Sequence, residues 1–122
     1  MKDKNGCDRL LIVEDEPEIL SILTELLQRR GYDITACNNG DSALQLVKRK
    51  QFSIILTDFR MPGTDGFKFI ESLKEIIPLS RLIVMSGYGK QVSEDLFKMG
   101  VKNYLVKPID FDNLIKMINK LM

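Results

Sequence analysis

The most informative segment of this chain is SIILTDFRMPG, residues 53–63. Its first half, Ser53 to Thr57, is a short apolar run of the kind that forms a strand buried on both faces of a sheet. Asp58 follows directly, and turn-forming residues come after it. A carboxylate at the end of a buried strand is a candidate functional group, because ligands of α/β sheets bind at the carboxyl ends of the strands.

Three other apolar runs also end in polar groups. They are Leu10 to Val13 before Glu14-Asp15-Glu16, Leu82 to Met85 before Ser86-Gly87, and Tyr104 to Val106 before Lys107-Pro108. Parallel strands joined by helices present their carboxyl ends at one edge, so these groups are expected to converge on a single crevice. Such a crevice would contain three carboxylates, a hydroxyl and an ammonium, and would suit a divalent cation and a phosphoryl group.

Short apolar runs alternate with longer segments of helical periodicity five times along the chain. This alternation predicts an α/β fold, a single (βα)5 domain with a doubly wound, parallel five-stranded sheet. The domain is expected to span residues 1–122, with a polar lead-in at residues 1–9. The most apolar runs, residues 10–13, 54–56 and 82–85, are predicted to be the central strands, and the mixed runs 33–37 and 103–106 lie nearer the edges.

Five helices are predicted from apolar stripes at helical spacing. The first begins at Pro17 and is ended by Gly31, and the fifth begins near Asp110, its N-cap. The other three cover residues 41–50, 66–77 and 90–99, with Pro78 stopping the third and Gly100 capping the fourth. The fourth helix has the thinnest apolar stripe and is expected to be the least rigid.

Composition excludes several classes of protein. With 18 basic and 17 acidic side chains the net charge is +1, so neither nucleic acid nor an anionic membrane is expected to bind this domain. Its apolar runs are far shorter than the roughly 20 residues that span a bilayer, and residues 1–9 lack the apolar region of a signal peptide, so a cytoplasmic location is expected. The chain has no His, and its cysteines, Cys7 and Cys37, are predicted to be free thiols.

The chemistry of the predicted crevice follows from its residue types. Glu14, Asp15 and Asp58 crowd three negative charges together, and Mg2+ would neutralise them better than a soft metal, since no His or Cys is placed to help. Asp58 beside a cation is a workable nucleophile toward phosphorus, with Lys107 as a second cation and Ser86 as a hydroxyl donor. Pro108 could follow a cis peptide bond that directs Lys107.

Simpler interpretations stay open for the separate motifs. The acidic run at residues 14–16 could do no more than cap the first helix, whose N-terminus favours negative charge. Lys107 could be an ordinary surface lysine, and Ser86-Gly87 could be an ordinary turn.

Taken together, the motifs resemble the receiver domain of two-component response regulators, over residues 10–122. The resemblance is carried by an ordered set of residues: Glu14-Asp15, Asp58 followed by Met61-Pro62 and Gly66, Ser86-Gly87, and Tyr104 three residues before Lys107-Pro108. It implies a flavodoxin-like, CheY-like sheet with strand order 2-1-3-4-5. It also implies that Asp58 accepts a phosphoryl group from a histidine kinase or phosphotransfer protein.

Further roles are implied by this resemblance alone. Asp15, Asp58 and the backbone carbonyl of Arg60 would hold Mg2+, for which Mn2+ can substitute, with Glu14 assisting. Lys107 would bind the phosphoryl oxygens, while Ser86, Gly87 and Tyr104 would form the switch. The output surface would be the fourth helix, fifth strand and fifth helix, where partners or a second copy bind.

Some positions depart from the family pattern or vary within it. Family members commonly have Thr where this chain has Ser86, and Ser keeps the hydroxyl. Arg60 and Tyr88 occupy variable positions, two residues beyond Asp58 and Ser86, and are predicted to tune the lifetime of the aspartyl phosphate. Phe59 and Met61 are predicted to be packing residues. Asp65 is predicted to be a helix cap.

Three other functions were weighed against a phosphoacceptor switch. One is a receiver-shaped interaction module that is never phosphorylated. A second is an Asp-nucleophile phosphatase, which needs another Asp two residues on, where this chain has Arg60. A third is a flavin-binding domain, which needs a hydroxyl- and glycine-rich loop where this chain has residues 14–17, EDEP. The sequence therefore favours a regulatory phosphoacceptor domain, with phosphotransfer to itself and autodephosphorylation as its only chemistry.

Overall fold

The computed structural model describes residues 6–87 and 89–122. The strands are β1 Arg9–Val13, β2 Asp33–Cys37, β3 Ile54–Asp58, β4 Leu82–Ser86 and β5 Asn103–Val106. The helices are α1 Pro17–Arg29, α2 Gly40–Arg49, α3 Gly66–Lys74, α4 Lys90–Met99 and α5 Phe111–Leu121, with a short 3-10 helix at Leu79–Arg81. No helix among the described residues is long and apolar enough to cross a bilayer.

The five strands form one parallel sheet in the order β2-β1-β3-β4-β5. The predicted fold class and strand order are therefore confirmed, with β1, β3 and β4 in the centre and β2 and β5 at the edges. Since every strand runs in the same direction, all the carboxyl ends lie along one edge of the sheet.

Alternate residues of the central strands pack into two separate cores, as the two-residue period of a strand requires. Leu11, Val13 and Ile55 pack with buried side chains of α2, α3 and α4, whereas Ile12 and Leu56 pack with those of α1 and α5. Helices therefore cover both faces of the sheet, which explains why β1, β3 and β4 are almost continuously apolar.

The helix ends largely match the predictions. Asp110 caps α5 by accepting hydrogen bonds from the backbone N–H groups of Asp112 and Asn113, at 2.9 and 3.3 Å. Gly100 ends α4 with φ of 107°, a left-handed conformation in which a Cβ would be strained. α2 lies one residue earlier than predicted, because the side chain of Asn39 caps it.

The predicted end of the third helix is wrong by three residues. The apolar pattern indicated a helix to Ile77, but α3 ends at Lys74 and a turn follows. Proline disfavours helical geometry in the residue before it, and Pro78 itself is extended, with ψ of 135°. Ile76 and Ile77 both donate to the carbonyl oxygen of Leu73, so the helix closes there before the proline.

α4 is the least buried of the five helices. Leu96 is its one buried residue among those that the structure describes, whereas each of the other helices buries at least two. Phe97, on the same helix, is 69% exposed. A helix with so few buried apolar contacts is expected to open at a low free-energy cost, and the lower rigidity of α4 stays a prediction.

Candidate functional site

Four strand ends bring polar residues to the same edge of the sheet. Asp58 and Ser86 are the last residues of β3 and β4, and Glu14 and Lys107 directly follow β1 and β5. Backbone hydrogen bonds continue the sheet past the strand ends, since Glu14 N donates to Cys37 O at 3.1 Å and Lys107 N to Ser86 O at 2.9 Å. The positions of these side chains are thus set by the sheet itself rather than by a long loop.

The Lys107 ammonium lies between two carboxylates. Its Nζ is 2.9 Å from Asp58 Oδ2 and 3.0 Å from Glu14 Oε1. Glu14 is fully buried, Asp58 is 6% exposed, and Ser86 is 1% exposed. Charged groups this deeply buried must be paired, and the ammonium supplies the pairing. Lys107 is therefore part of the site and not an ordinary surface lysine.

Burial and pairing shift two pKa values in this crevice. Burial raises the pKa of Glu14, and the negative charge of Asp58 adds to the shift, although hydrogen bonds from Glu16 and Lys107 oppose it. For Lys107, burial lowers the pKa, but the hydrogen bonds to Asp58 and Glu14 and the negative charges of both carboxylates together leave the pKa raised. The ammonium therefore stays charged at neutral pH.

Three carboxylates of the crevice form a group that can hold a metal ion. Oxygen atoms of Glu14, Asp15 and Asp58 all lie within 4.8 Å of one another. Hard oxygen donors suit Mg2+, and the single ammonium beside them leaves an excess of negative charge. The residues therefore fit the ion that the sequence predicted.

Helix capping does not account for the acidic run at residues 14–16. Glu16 occupies the N-cap position of α1, but its side chain makes no capping hydrogen bond. Its backbone N–H instead donates to Glu14 Oε2 at 3.2 Å. Glu14 thus faces the crevice, with one oxygen toward Lys107 and the other toward the start of α1.

Hydrogen bonds of the residues before and after Asp58 fix the end of β3. Thr57 Oγ1 donates to the Asp58 carbonyl oxygen at 2.9 Å, and Phe59 N donates to Met85 O at 2.8 Å. Phe59 and Met61 are buried in the core, which confirms their packing role. Asp65 accepts hydrogen bonds from two backbone N–H groups of α3, as expected of a helix cap.

The remaining predicted site residues follow β3, β4 and β5 or lie on β5. Arg60 donates its backbone N–H to Asp58 Oδ1 at 3.4 Å, while its side chain is exposed. Tyr104 is half-buried on β5, pairs with Val84 and lines a groove against α4. Gly87 lies beside the Cβ of Lys107, and the Lys107-Pro108 peptide bond is cis, as predicted. Tyr88 lies outside the described residues.

The ion pair between Glu14 and Lys107 was not predicted from the sequence. The two residues are 93 positions apart, and they follow strands that are not neighbours in the sheet. An acid after the first strand and a lysine after the fifth are the only sequence signal for the pair. That signal becomes specific only when the order of the strands is known.

Comparison with known proteins agrees with this fold. The family described as "Response regulator receiver domain" matches residues 10–119, and the chain belongs to that family. It is therefore a receiver domain of two-component response regulators, which are regulatory proteins. The family's partners are histidine kinases or phosphotransfer proteins.

Two curated relatives illustrate the range of the family. The chain is 33% identical over 112 residues to the transcriptional regulatory protein ZraR of Escherichia coli K12, and the match covers 91% of the chain. The chain spans about a quarter of that relative's length, since 25% of ZraR is covered. Sporulation initiation phosphotransferase F of Bacillus subtilis is 29% identical, with 93% of this chain and 92% of the relative covered.

Solved receiver structures have the same fold. The response regulator TrrA of Thermotoga maritima, solved in complex with Mg2+ and BeF, is 30% identical, with a TM-score of 0.83 and 100% of both chains covered. The receiver domain of the Francisella response regulator 1452 is 26% identical, with a TM-score of 0.85 and coverage of 93% of this chain and 95% of that chain.

Proposed function

We propose that Asp58 is the phosphoacceptor of this receiver domain. The observation that carries the proposal is the position of its carboxylate, almost buried at the end of β3 and 2.9 Å from the Lys107 ammonium. The ammonium supplies positive charge where the oxygens of an incoming phosphoryl group would gather. Phosphoryl transfer depends mostly on such positioning and charge neutralisation.

We propose Mg2+ as the cofactor, with Mn2+ able to substitute. Asp15, Asp58 and the backbone carbonyl of Arg60 would hold the ion, with the negative charge of Glu14 beside them. When bound, the ion would neutralise the carboxylates and the phosphoryl oxygens. The grouping of the three carboxylates supports this assignment.

The phosphoryl donor would be a phosphohistidine on a histidine kinase or phosphotransfer protein. One carboxylate oxygen of Asp58 would form a bond to phosphorus as the phosphorus–nitrogen bond breaks, and the imidazole would leave with the electron pair of that bond. Hydrolysis of the acyl phosphate would later restore the carboxylate. The domain would thus catalyse only its own phosphorylation and dephosphorylation.

The signal would leave through the surface formed by α4, β5 and α5. The Ser86 hydroxyl would bind the new phosphoryl group, the Ser86-Gly87 turn would move with it, and Tyr104 would turn inward. Two exposed apolar side chains mark this surface, Phe97 at 69% and Val106 at 63% exposed. We expect an effector or a second copy of this chain to cover them in the phosphorylated state.

The cytoplasm is the proposed location. Cys7 and Cys37 are not joined by a disulfide bond, and reduced thiols persist in a reducing compartment.

The test is the mass of the intact protein after incubation with acetyl phosphate and Mg2+. The wild type should gain one phosphoryl group, and Asp58→Asn should gain none, because the amide is not a nucleophile toward phosphorus. Asp65→Asn is the matched control, since Asn preserves the helix cap and leaves the crevice intact. Absence of the gain in a folded wild type that binds Mg2+ would favour an interaction module that is never phosphorylated.

A further inference from the structure

The three carboxylates of the crevice are engaged in different ways. Both oxygens of Glu14 already accept from protein donors, Oε1 from Lys107 Nζ at 3.0 Å and Oε2 from the Glu16 N–H at 3.2 Å. Asp15 is half-buried, and it makes no hydrogen bond or ion pair within residues 6–87 and 89–122. Both oxygens of Asp15 are thus open to a metal ion, whereas each oxygen of Glu14 already accepts one hydrogen bond.

Lys107 contacts the same carboxylate that the proposed phosphorylation uses, that of Asp58. Its Nζ lies 2.9 Å from Asp58 Oδ2, yet Asp58 must offer its oxygens to the metal ion and then to phosphorus. If Asp58 were its only protein partner, the ammonium would compete with the metal ion for that carboxylate until the phosphoryl oxygens arrive. Glu14 provides a second partner that takes no part in bond formation.

We infer that Glu14 is a positioning residue for Lys107. It keeps the ammonium in the crevice while the Asp58 carboxylate turns to the metal ion and the phosphoryl group. Among the three carboxylates, Asp15 and Asp58 then act as metal ligands, and Glu14 contributes to metal affinity only through its charge. The inference depends on the proposed phosphorylation of Asp58.

Burial explains why this arrangement should persist when the metal ion binds. Glu14 has no access to solvent, and turning Oε1 away would leave the Lys107 ammonium with Asp58 as its one carboxylate partner among the described residues. Loss of a partner from a largely buried ion pair is costly. Glu14 is also held at its backbone, because its N–H donates to Cys37 O at 3.1 Å.

A double-mutant cycle tests the inference. Glu14→Gln should slow phosphorylation by acetyl phosphate at saturating Mg2+ by about tenfold in the wild-type background. In a Lys107→Met background the same substitution should change the rate less than about twofold, because a residue that acts through the lysine has nothing left to position. Equal effects in both backgrounds would overturn the inference.

Metal affinity provides a readout that is independent of phosphorylation. By calorimetric titration with Mg2+, Glu14→Gln should weaken binding less than about threefold, and Asp15→Asn about tenfold or more. A loss in Glu14→Gln as large as that in Asp15→Asn would show that Glu14 acts through the metal ion, and would overturn the inference.

NMR of the lysine ammonium groups in the wild type covers the case in which Glu14→Gln does not fold. The Lys107 ammonium should remain ordered after Mg2+ is added, unlike that of Lys90, whose side chain is 89% exposed. A Lys107 ammonium as mobile as that of Lys90 in the presence of Mg2+ would overturn the inference.

The experiment separates the failure of this inference from that of the proposed function. If the wild type with Mg2+ and acetyl phosphate gains no phosphoryl group on Asp58, both the proposed function and the role of Glu14 are overturned. If Asp58 is phosphorylated and the two substitutions have independent effects on the rate, only the role of Glu14 is overturned.

Discussion

The carbonyl oxygen of Phe59 occupies the space that a side chain on Gly66 would need. A Cβ at Gly66 would overlap that oxygen and would also lie 2.7 Å from the Phe59 ring. The ring packs edge-on against Phe67, with the centroids 4.8 Å apart. Gly66 therefore lets the start of α3 come close to the chain that leaves Asp58.

Gly66→Ala should lower the free energy of unfolding by about 3 kcal/mol, because a backbone oxygen cannot move away as a flexible side chain can. Urea denaturation would measure the change. Gly89→Ala is the matched control, since a Cβ there has open space and should change stability by less than about 0.5 kcal/mol. Equal stability of Gly66→Ala and the wild type would show that the loop relaxes freely.

Thr24, in α1, has a buried hydroxyl oxygen with no hydrogen-bond partner among the described residues. Thr24→Val replaces the hydroxyl with a methyl group of similar size and removes an unsatisfied polar atom. We expect the free energy of unfolding to rise by about 1 kcal/mol. The measurement is the urea midpoint at constant m-value.

Thr57→Val is the contrasting substitution for Thr24→Val. Thr57 is fully buried, and its hydroxyl donates to the Asp58 carbonyl oxygen at 2.9 Å. Removing this bond should lower stability by about 1 kcal/mol. If Thr24→Val also lowered the midpoint, its hydroxyl would have to bind a trapped water molecule.

The thiol of Cys37 should react slowly with alkylating agents. Burial raises the pKa of this thiol above its ordinary value near 9.0, so less thiolate is present at a given pH. In a Cys7→Ser variant, alkylation of Cys37 by iodoacetamide at about pH 8 should be slower than that of a free peptide thiol. Its rate should still rise at pH values where the free thiol has levelled off, and matching profiles would contradict the prediction.

The same shift in Cys37 makes stability depend on pH. Its folded-state pKa is the higher one, so the contribution of the neutral thiol to stability is fully present below the unfolded-state pKa. That contribution is lost as pH rises through the folded-state pKa. Cys37→Ala should therefore lose less stability than the wild type on the alkaline side, which urea titrations at several pH values would measure.

Arg60 is predicted to control the lifetime of the phosphorylated state. Its exposed side chain lies two residues beyond Asp58, and removing it should give water easier access to the acyl phosphate. Arg60→Ala should speed dephosphorylation about twofold to tenfold, measured as loss of the phosphoryl mass after the donor is removed.

Arg49→Ala is the control for this prediction, because Arg49 is an exposed arginine at the end of α2, away from the carboxyl edge of the sheet. An unchanged decay rate in Arg60→Ala would exclude Arg60 from the mechanism. The same role for Tyr88 stays a prediction from the sequence.

Much of the fold could be predicted because the relevant signals are local. Continuous apolar runs indicated β1, β3 and β4, and capping chemistry located the start of α5 at Asp110 and the end of α4 at Gly100. The end of α3 was missed because its apolar stripe continues to Ile77. The helix ends earlier than the stripe, because Pro78 disfavours helical geometry in the residue before it and the N–H groups of Ile76 and Ile77 both bond to Leu73 O.

The sequence alone determined which groups stand at the strand ends, since a residue's place on a strand depends on its near neighbours. The contacts of Lys107 with both Asp58 and Glu14, and the full burial of Glu14, are apparent only in the three-dimensional structure. Lys107 is 49 residues from Asp58 and 93 from Glu14 along the chain. Contacts over such separations depend on strand order and register, which packing of the whole chain sets and no local pattern encodes.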